Sequence, residues 1–251
     1  MGKQPHLLVA EDDLADVALV PGDPGRVDRI AGRCDDARTV AQNREYKLVN
    51  ATYEGHELTV CSTGIGAPSA AIAAEELHAV GVETLVRVGT TGALQRGIEV
   101  GDMVVATGAA KDEGTTKRYE SPTVPAVPDY DVLSALVAAA ETRETRAGDG
   151  DDAGGEVHVG PVATDDAFYA ETDEYVRGWE RAGLLAVEME AAALFALARR
   201  KEMSAGAICT VDGNLIEGTQ KGETDDEELP PKAKNNVERA IDIALDAVTR
   251  L

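Results

Sequence analysis

The sequence has few cysteines and no long apolar run. Its three cysteines lie far apart, and none forms a C-x-x-C pair, which argues against a disulfide framework. Cys61 and Cys209 fall within apolar, strand-like runs and are expected to be small buried residues. No stretch is apolar enough to span a bilayer, and the first residues lack the apolar core of a signal peptide. We therefore expect a protein of a reducing cytoplasm.

Basic residues are also scarce. The chain of 251 residues has 46 acidic and 24 basic side chains, which gives a formal net charge of −22. Such a surface repels nucleic acids and anionic membranes, and both are therefore excluded as partners. Acidic, lysine-poor surfaces suit molar salt, where charge repulsion is screened within about 3 Å. We hypothesise a salt-loving source; the alternative is an acidic mesophilic enzyme.

Apolar runs alternate with amphipathic patterns along the chain. The predicted strands are residues 17–20, 46–53, 58–62, 84–88, 103–107, 157–164 and 205–211. The predicted helices are residues 68–80, 130–142, 174–182, 190–200 and 231–251, and a further helix begins near Arg26. This alternation predicts a single α/β domain over residues 1–251, with a mixed, mostly parallel central sheet flanked by helices. Residues 46–53 and 58–62 are predicted to form an antiparallel hairpin.

Two polar segments are predicted to be loops. Residues 147–155 are small and acidic, which indicates a solvated surface loop. Residues 214–229 lie between the last predicted strand and the last predicted helix. Ligands of open α/β sheets bind beyond the carboxyl ends of strands, and this segment is therefore either a lid or a plain connector.

Three glycine-rich turns follow apolar runs, at residues 21–26, 62–69 and 87–93. The first has a strand–turn–helix pattern, in which free backbone N–H groups and the helix N-terminus favour an anion. Arg26 adds a planar fork suited to phosphate, although an ordinary turn with a surface arginine fits as well. The second turn lacks the acidic residue that a dinucleotide-binding fingerprint needs, so NAD is not expected.

Charged residues also occur inside apolar runs. Arg87 would be costly to bury without a partner, which is either a bound anion or a carboxylate in a salt bridge. Glu188 and Glu190 flank Met189 at a predicted strand-to-helix junction. Glu190 either complements the charge of the helix N-terminus or accepts hydrogen bonds from sugar hydroxyls, with Met189 packing under the sugar.

Together these segments resemble the nucleoside phosphorylase-I family, which includes uridine phosphorylases and hexameric purine nucleoside phosphorylases. The likeness covers nearly the whole chain and is strongest at residues 22–26, 61–66, 87–93 and 188–190. It implies a pentosyltransferase that cleaves a ribonucleoside with phosphate to give a free base and ribose 1-phosphate. It also implies a hexamer built as a trimer of dimers with shared active sites. No organic cofactor is implied, and the four histidines lack zinc-like spacing.

The resemblance assigns roles to individual positions. The implied phosphate ligands are Gly22, Arg26, Arg44, Arg87 and Thr90. The implied ribose or base contacts are Thr91, Gly92, Phe168, Glu188, Met189, Glu190 and His6, the last reaching into a neighbouring subunit. The implied ligands of a monovalent cation, possibly K⁺, are Glu45, Ile65 and Ser69. The implied catalytic groups are Arg87, Glu190 and Asp212.

The base site departs from both subgroups. Uridine phosphorylases read uracil with a Gln and an Arg shortly after the Phe-Tyr pair, but residues 170–174 here contain neither. Purine enzymes end the last strand with a Ser-Asp pair, whereas Asp212 stands one position early and acts either as a general acid or as a cap. The sequence favours a uridine phosphorylase-like enzyme. A guanosine or inosine phosphorylase, a nucleoside hydrolase on the same fold and a non-catalytic nucleoside-binding protein are the alternatives.

Overall fold

Nine strands form one sheet in the computed structural model, which describes residues 2–147, 155–219 and 231–251. The strands are β1 Val17–Leu19, β2 Asp36–Asn43, β3 Tyr46–Tyr53, β4 His56–Cys61, β5 Thr84–Ala93, β6 Met103–Lys111, β7 Val157–Thr164, β8 Ala186–Glu188 and β9 Ser204–Asn214. The helices are α1 Pro24–Ala31, α2 Ala67–Ala79, α3 Thr116–Tyr119, α4 Tyr130–Ala147, α5 Asp173–Arg181, α6 Ala191–Arg200 and α7 Pro231–Val248.

The strand order is β2-β3-β4-β1-β5-β8-β7-β6-β9, and β5 also pairs with β9. Strands β5 to β9 therefore form a closed ring, and β1 to β4 continue the sheet beyond β5 as an open, four-stranded extension. Five of the nine strand pairs are parallel: β1–β4, β1–β5, β5–β9, β6–β7 and β7–β8. The expected α/β class with a mixed sheet is confirmed.

Helices cover the sheet on two sides. Apolar residues of α2 and α6 pack in one core cluster with Leu85, Ala207 and Val211 of the sheet. Helices α1, α4 and α7 pack on the other side, against Val86, Val88 and Ile208. The alternation of β5 thus directs Val86 and Val88 to one layer, while Leu85 and Arg87 share the opposite face.

All strands predicted from the sequence are present in the structure, but two further strands, β2 and β8, were not predicted. Strand β2 is an edge strand whose residues are exposed or partly exposed, so it lacks the apolar alternation by which strands are recognised. Strand β8 has only three residues. The hairpin between β3 and β4 is confirmed, with Glu54 and Gly55 both at positive φ in its two-residue turn.

The two predicted loops fall largely outside the described residues, which do not include 148–154 or 220–230. Residues 214–219, the start of the predicted lid, form a turn anchored by a buried asparagine. Asn214 Nδ2 donates to the carbonyl of Ile98 at 2.8 Å, and its Oδ1 accepts from the Ile216 N–H at 2.9 Å. This first part of the segment is held in place by hydrogen bonds.

The cysteines are free thiols, and Cys61 and Cys209 are buried as expected. A search of the described residues finds no helix that is both long and apolar enough to cross a membrane.

Candidate anion and sugar site

Three turns meet beyond the ends of adjacent parallel strands. Leu19 of β1 pairs with Val60 of β4 and with Val86 of β5, and the chain segments that follow these residues therefore run side by side. The Thr63 N–H donates to the Pro21 carbonyl at 2.8 Å, and the Gly64 N–H donates to the Gly22 carbonyl at 3.0 Å. The glycine-rich segments singled out in the sequence thus form one edge of the sheet, where α/β proteins bind ligands.

Arg26 is buried on this edge, and no carboxylate of the described residues pairs with it. It lies in the first turn of α1 and is only 7% exposed. Its Nη1 donates to the Val88 carbonyl at 2.9 Å, and its buried Nε has no hydrogen-bond partner. Among the described residues, Arg26 forms no ion pair. Burial, followed by repulsion from Arg87, lowers the pKa of Arg26. A buried and uncompensated guanidinium of this kind favours a bound anion.

Arg87 lies next to Arg26 but is paired with two carboxylates. Its Nε is 2.8 Å from Glu188 Oε2, and its Nη2 is 2.5 Å from Glu190 Oε2. Burial lowers the pKa of Arg87, but the attraction of Glu190 and Glu188 outweighs it and raises that pKa above the ordinary value. The salt-bridge alternative for Arg87 is therefore correct. The guanidinium has five N–H donors, more than these two oxygens accept, so an anion contact remains available.

Glu188 acts at the N-terminus of α6. Its carboxylate accepts from the N–H groups of Glu190 at 2.9 Å and Ala191 at 2.9 and 3.0 Å, and from Thr164 Oγ1 at 2.5 Å. The helix dipole and these donors stabilise its negative charge. Glu188 is therefore held rigidly, and its contact with Nε positions the Arg87 side chain.

The Glu190 side chain hydrogen-bonds to the start of α2 and not to its own helix, α6. Glu190 occupies the N-cap position of α6, but its side chain makes no capping hydrogen bond there. Its Oε1 instead accepts from the N–H of Gly66, the N-cap residue of α2, at 2.5 Å. Burial and repulsion from Glu188 raise the pKa of Glu190, whereas Arg87 lowers it. The carboxylate thus bridges two glycine-rich segments and Arg87, in a position to accept hydrogen bonds from a hydroxyl-bearing ligand.

Gly89 makes room for this arrangement. A Cβ at this position would lie 2.8 Å from both Arg87 Nη2 and Cys209 Sγ. Gly89 and Cys209 face each other across β5 and β9, so the Arg87 side chain lies over both. Burial raises the pKa of Cys209 to about 12, so its thiol stays neutral beneath the guanidinium. The φ of Gly89 is not positive, so backbone conformation does not require a glycine here. It is the close approach of the Arg87 and Cys209 side chains that leaves no room for a Cβ.

Arg44 and His6 do not join this cluster within one chain. Arg44 is exposed at the turn between β2 and β3 and is not among the charges that perturb Arg26 or Arg87. His6 Nδ1 lies 2.5 Å from Glu76 Oε1, and Asn43 Nδ2 donates to the His6 carbonyl at 2.8 Å. Both residues therefore flank the same turn, away from the two buried arginines.

The predicted cation ligands are partly brought together. Ser69 Oγ is 2.9 Å from Glu45 Oε1 and 2.5 Å from the Thr63 carbonyl oxygen. A carboxylate, a hydroxyl and a carbonyl are oxygen donors that fit a hard monovalent cation. Ile65 beside them is 79% exposed. The cation role of Glu45, Ile65 and Ser69 stays a prediction.

The remaining predicted contacts lie around the cluster. Thr90, Gly92 and Met189 are partly exposed, and Thr91 Oγ1 donates to the Val187 carbonyl at 2.6 Å. Phe168 is 47% exposed in a short 3₁₀ helix, Phe168–Ala170, after β7. Asp212 is buried at a bulge of β9, where Val211 pairs with Thr91 and Gly213 with Gly92.

A cleft of about 510 Å³ lies beside the start of α2. It lies between the start of α2, the short helix α3 and the loop after β7, and Pro68, Ile72, Tyr119 and Asp166 are among its lining residues. Pro68 follows the Gly66 N–H that binds Glu190, and Asp166 precedes the helix that carries Phe168. None of Arg26, Arg87, Glu190 and Phe168 lines this cleft.

Sequence reasoning missed Thr164 and Gly66. Thr164 Oγ1 both donates to Glu188 and accepts from the Ala192 N–H at 3.0 Å. It ends the predicted strand at residues 157–164, a position at which a polar side chain would have indicated a site residue. Gly66 acts through its backbone, which no sequence signal separates from the general glycine pattern.

The fold and the site together define an α/β protein with two buried arginines and two buried glutamates at one edge of its sheet. The chain belongs to the phosphorylase superfamily, whose family model matches residues 16–249. It is 67% identical over 251 residues to a guanosine phosphorylase of Halorubrum lacusprofundi, with 100% of both chains covered. It is 40% identical over 228 residues to a uridine phosphorylase of Thermococcus kodakarensis, covering 86% of this chain and 79% of that protein.

A solved structure agrees with these relationships. The uridine phosphorylase of Vibrio fischeri ES114 matches with a TM-score of 0.87 and 33% identity, covering 100% of this chain and 99% of that one. The resemblance to the uridine and purine nucleoside phosphorylases stated from the sequence is therefore confirmed, as is the α/β fold.

Proposed function

We propose that the protein is a nucleoside phosphorylase that cleaves a ribonucleoside with inorganic phosphate, acting in the cytoplasm as a pentosyltransferase. One observation carries the proposal: Arg26 is buried beside Arg87 with an orphaned Nε and, among the described residues, no carboxylate partner. A hydrolase, whose nucleophile is water, has no need of this second buried cation. The relatives named guanosine phosphorylase and uridine phosphorylase support the same chemistry.

The proposed reaction assigns a role to each of these groups. Phosphate binds between Arg26 and Arg87, with the Gly22 backbone and the Thr90 hydroxyl as further donors. Each charge-assisted hydrogen bond contributes on the order of 1.5–3 kcal/mol. Glu190 accepts hydrogen bonds from the ribose hydroxyls, with Glu188 beside it and Met189 packing under the sugar. Because both substrates are held by rigid groups, their reacting atoms are oriented before any bond breaks.

Bond breaking leaves the electron pair of the glycosidic bond on the base nitrogen. The sugar becomes cation-like, and the phosphate anion stabilises it and then forms the new bond to the same carbon. The products are ribose 1-phosphate and the free base, which takes up a proton. Asp212 is the predicted proton donor for this step, and it lies at the β9 bulge beside Gly92.

For the base we propose guanine, with uracil as the second candidate. Guanine is supported by the full-length relative at 67% identity and by the acidic residue Glu171 shortly after the Phe-Tyr pair. Uracil is supported by the uridine phosphorylases at 40% and 33% identity.

Base release should be measured from guanosine, inosine, uridine and adenosine, each with and without phosphate. The proposal expects release only with phosphate and fastest from guanosine. Phosphate-independent release would indicate a hydrolase, and binding without turnover would indicate a receptor. Faster release from uridine would select the second candidate.

We further propose that Arg44 and His6 complete the site of a neighbouring subunit within a hexamer that is built as a trimer of dimers. Both flank one exposed turn, at which Asn43 Nδ2 holds the His6 carbonyl. Arg44 forms no ion pair among the described residues, so its charge is available to a second copy. Each active site would then combine Arg26 and Arg87 of one chain with Arg44 and His6 of its neighbour.

Mixing inactive variants tests this shared site. Co-expressed Arg44→Ala and Arg87→Met chains should recover activity, because a mixed dimer contains one intact site. A matched mixture of Arg26→Met and Arg87→Met should stay inactive, since one chain supplies both arginines. Activity is measured as phosphate-dependent base release. No recovery in the first mixture, or an active monomer, would contradict the proposal.

We propose a salt-loving source for the chain on the basis of its charge of −22. Molar KCl should raise the midpoint of thermal unfolding by about 10 °C or more relative to 0.1 M KCl, because it screens repulsion among the surface carboxylates. Differential scanning calorimetry checks this, with a neutral osmolyte as the control. Equal midpoints at both salt concentrations would rule out the idea.

A further inference from the structure

The loop after β7 begins directly at the sugar-binding carboxylates. Thr164 binds Glu188 through its side chain, and the next residue, Asp165, donates its N–H to the Glu188 carbonyl at 3.0 Å. Asp165 Oδ2 accepts from the Ala167 N–H at 2.9 Å. These contacts fix the start of the loop to the site, so that the 3₁₀ helix with Phe168 follows from a defined point.

Glu171 is unusual within this loop. Of residues 166–175, all of which the structure describes, it is the only one that is not exposed. Burial and repulsion from Asp165 raise the pKa of Glu171 to about 7. No hydrogen bond or ion pair joins its carboxylate to the part of the chain that is described. A partly buried carboxylate without a donor, beside a second carboxylate, is poorly stabilised by the protein alone.

The neighbouring acidic residues differ from Glu171, because each lies in surroundings that stabilise its charge. Asp165 and Asp166 accept backbone N–H groups, the latter from Gly114 at 2.8 Å. Asp173 and Glu174 are exposed in the first turn of α5, where negative charge is favoured. Glu171 precedes this helix and its capping residue, Thr172. It is therefore the acid of this loop that has no structural partner.

We propose that Glu171 is the specificity-determining residue for the base, accepting two hydrogen bonds from the N1–H and 2-amino group of guanine. This proposal rests on the nucleoside phosphorylase function argued above. Guanine presents these two donors side by side, which matches the two oxygens of one carboxylate.

Other bases fit the carboxylate less well. Hypoxanthine offers the N1–H but no amino group. Uracil offers one N–H between two carbonyl oxygens, which a carboxylate repels, and adenine places an acceptor where guanine has a donor. A site built to bind a donor pair rejects a base that lacks it, because its own buried polar group is then left unpaired.

The test is steady-state phosphorolysis of guanosine, inosine and uridine by the wild-type protein, Glu171→Gln and the control Glu174→Gln. Glu171→Gln replaces one acceptor with a donor. It should lower kcat/KM about 100-fold for guanosine and about 10-fold for inosine, with little effect on uridine or on the KM for phosphate. Glu174→Gln should behave as the wild type.

The outcomes separate this inference from the proposed function. Wild-type cleavage of guanosine with an unchanged Glu171→Gln profile overturns the role of Glu171 alone. An equal loss for all three nucleosides also overturns it, because it indicates a structural effect. A wild-type protein that releases no base with phosphate overturns the phosphorylase function itself, and one that cleaves only uridine overturns the guanine assignment and this inference with it.

Discussion

Replacing Arg87 with methionine will reduce phosphate-dependent turnover by about 10³-fold or more and will also destabilise the protein. The activity falls because the substitution removes a cation from the proposed phosphate site and a positioning contact from Glu190. The stability falls because Glu188 and Glu190 are then buried without their common partner. Breaking a buried ion pair from one side costs about 3–5 kcal/mol, which is a decrease of about 10 °C in the unfolding midpoint for a chain of this length.

Base release and calorimetry measure both effects on the same preparation. Arg177→Met is a suitable control, because Arg177 pairs with Glu180 on the exposed surface of α5. Exposed pairs contribute at most about 1 kcal/mol, and this control should keep its activity. An Arg87→Met protein with normal affinity for phosphate would contradict the site.

Replacing Arg26 with methionine should have the opposite effect on stability. Arg26 has no carboxylate partner in the described chain, so its removal leaves no buried charge unpaired. The midpoint of unfolding without phosphate should therefore stay the same or rise. Turnover should still fall about 10²- to 10³-fold, because one of the two arginines at the phosphate is lost.

The effect of phosphate on the unfolding midpoint is a second measurement that tests the role of Arg26. A ligand that binds only the folded state raises its stability in proportion to the logarithm of its concentration. Phosphate should thus raise the unfolding midpoint of the wild type but not that of Arg26→Met. The matched control is Arg29→Met, one turn of α1 away, where the arginine pairs with Glu238. A lower unfolding midpoint for Arg26→Met without phosphate would contradict this prediction, because it would show that Arg26 stabilises the folded chain.

The sequence predicted the fold wherever apolar periodicity was strong. Strand β7 was predicted with its observed bounds, and the alternation of strands and helices gave the α/β class. The edge strand β2 was missed because its side chains are not buried, and β8 because three residues carry no period. The closure of β5 to β9 into a ring depends on pairings between distant strands, which local patterns do not contain.

The site was predicted in its residue types but not in its connections. Arg26, Arg87, Glu188 and Glu190 do converge, because their strands and turns end at one edge of the sheet. The sequence left open whether Arg87 binds an anion or a carboxylate, and the structure shows two carboxylates. It correctly placed Glu190 at the start of α6 but did not predict that the Glu190 side chain binds the start of α2, since this contact joins residues 124 positions apart.

A crystal structure with bound inorganic phosphate tests the central claim most directly. The account predicts a single phosphate ion within hydrogen-bond distance of both Arg26 Nε and the Arg87 guanidinium, beside the Gly22 backbone. Phosphate bound elsewhere, or a chain in which Arg26 turns to a carboxylate and leaves Arg87 to its two glutamates, would contradict it.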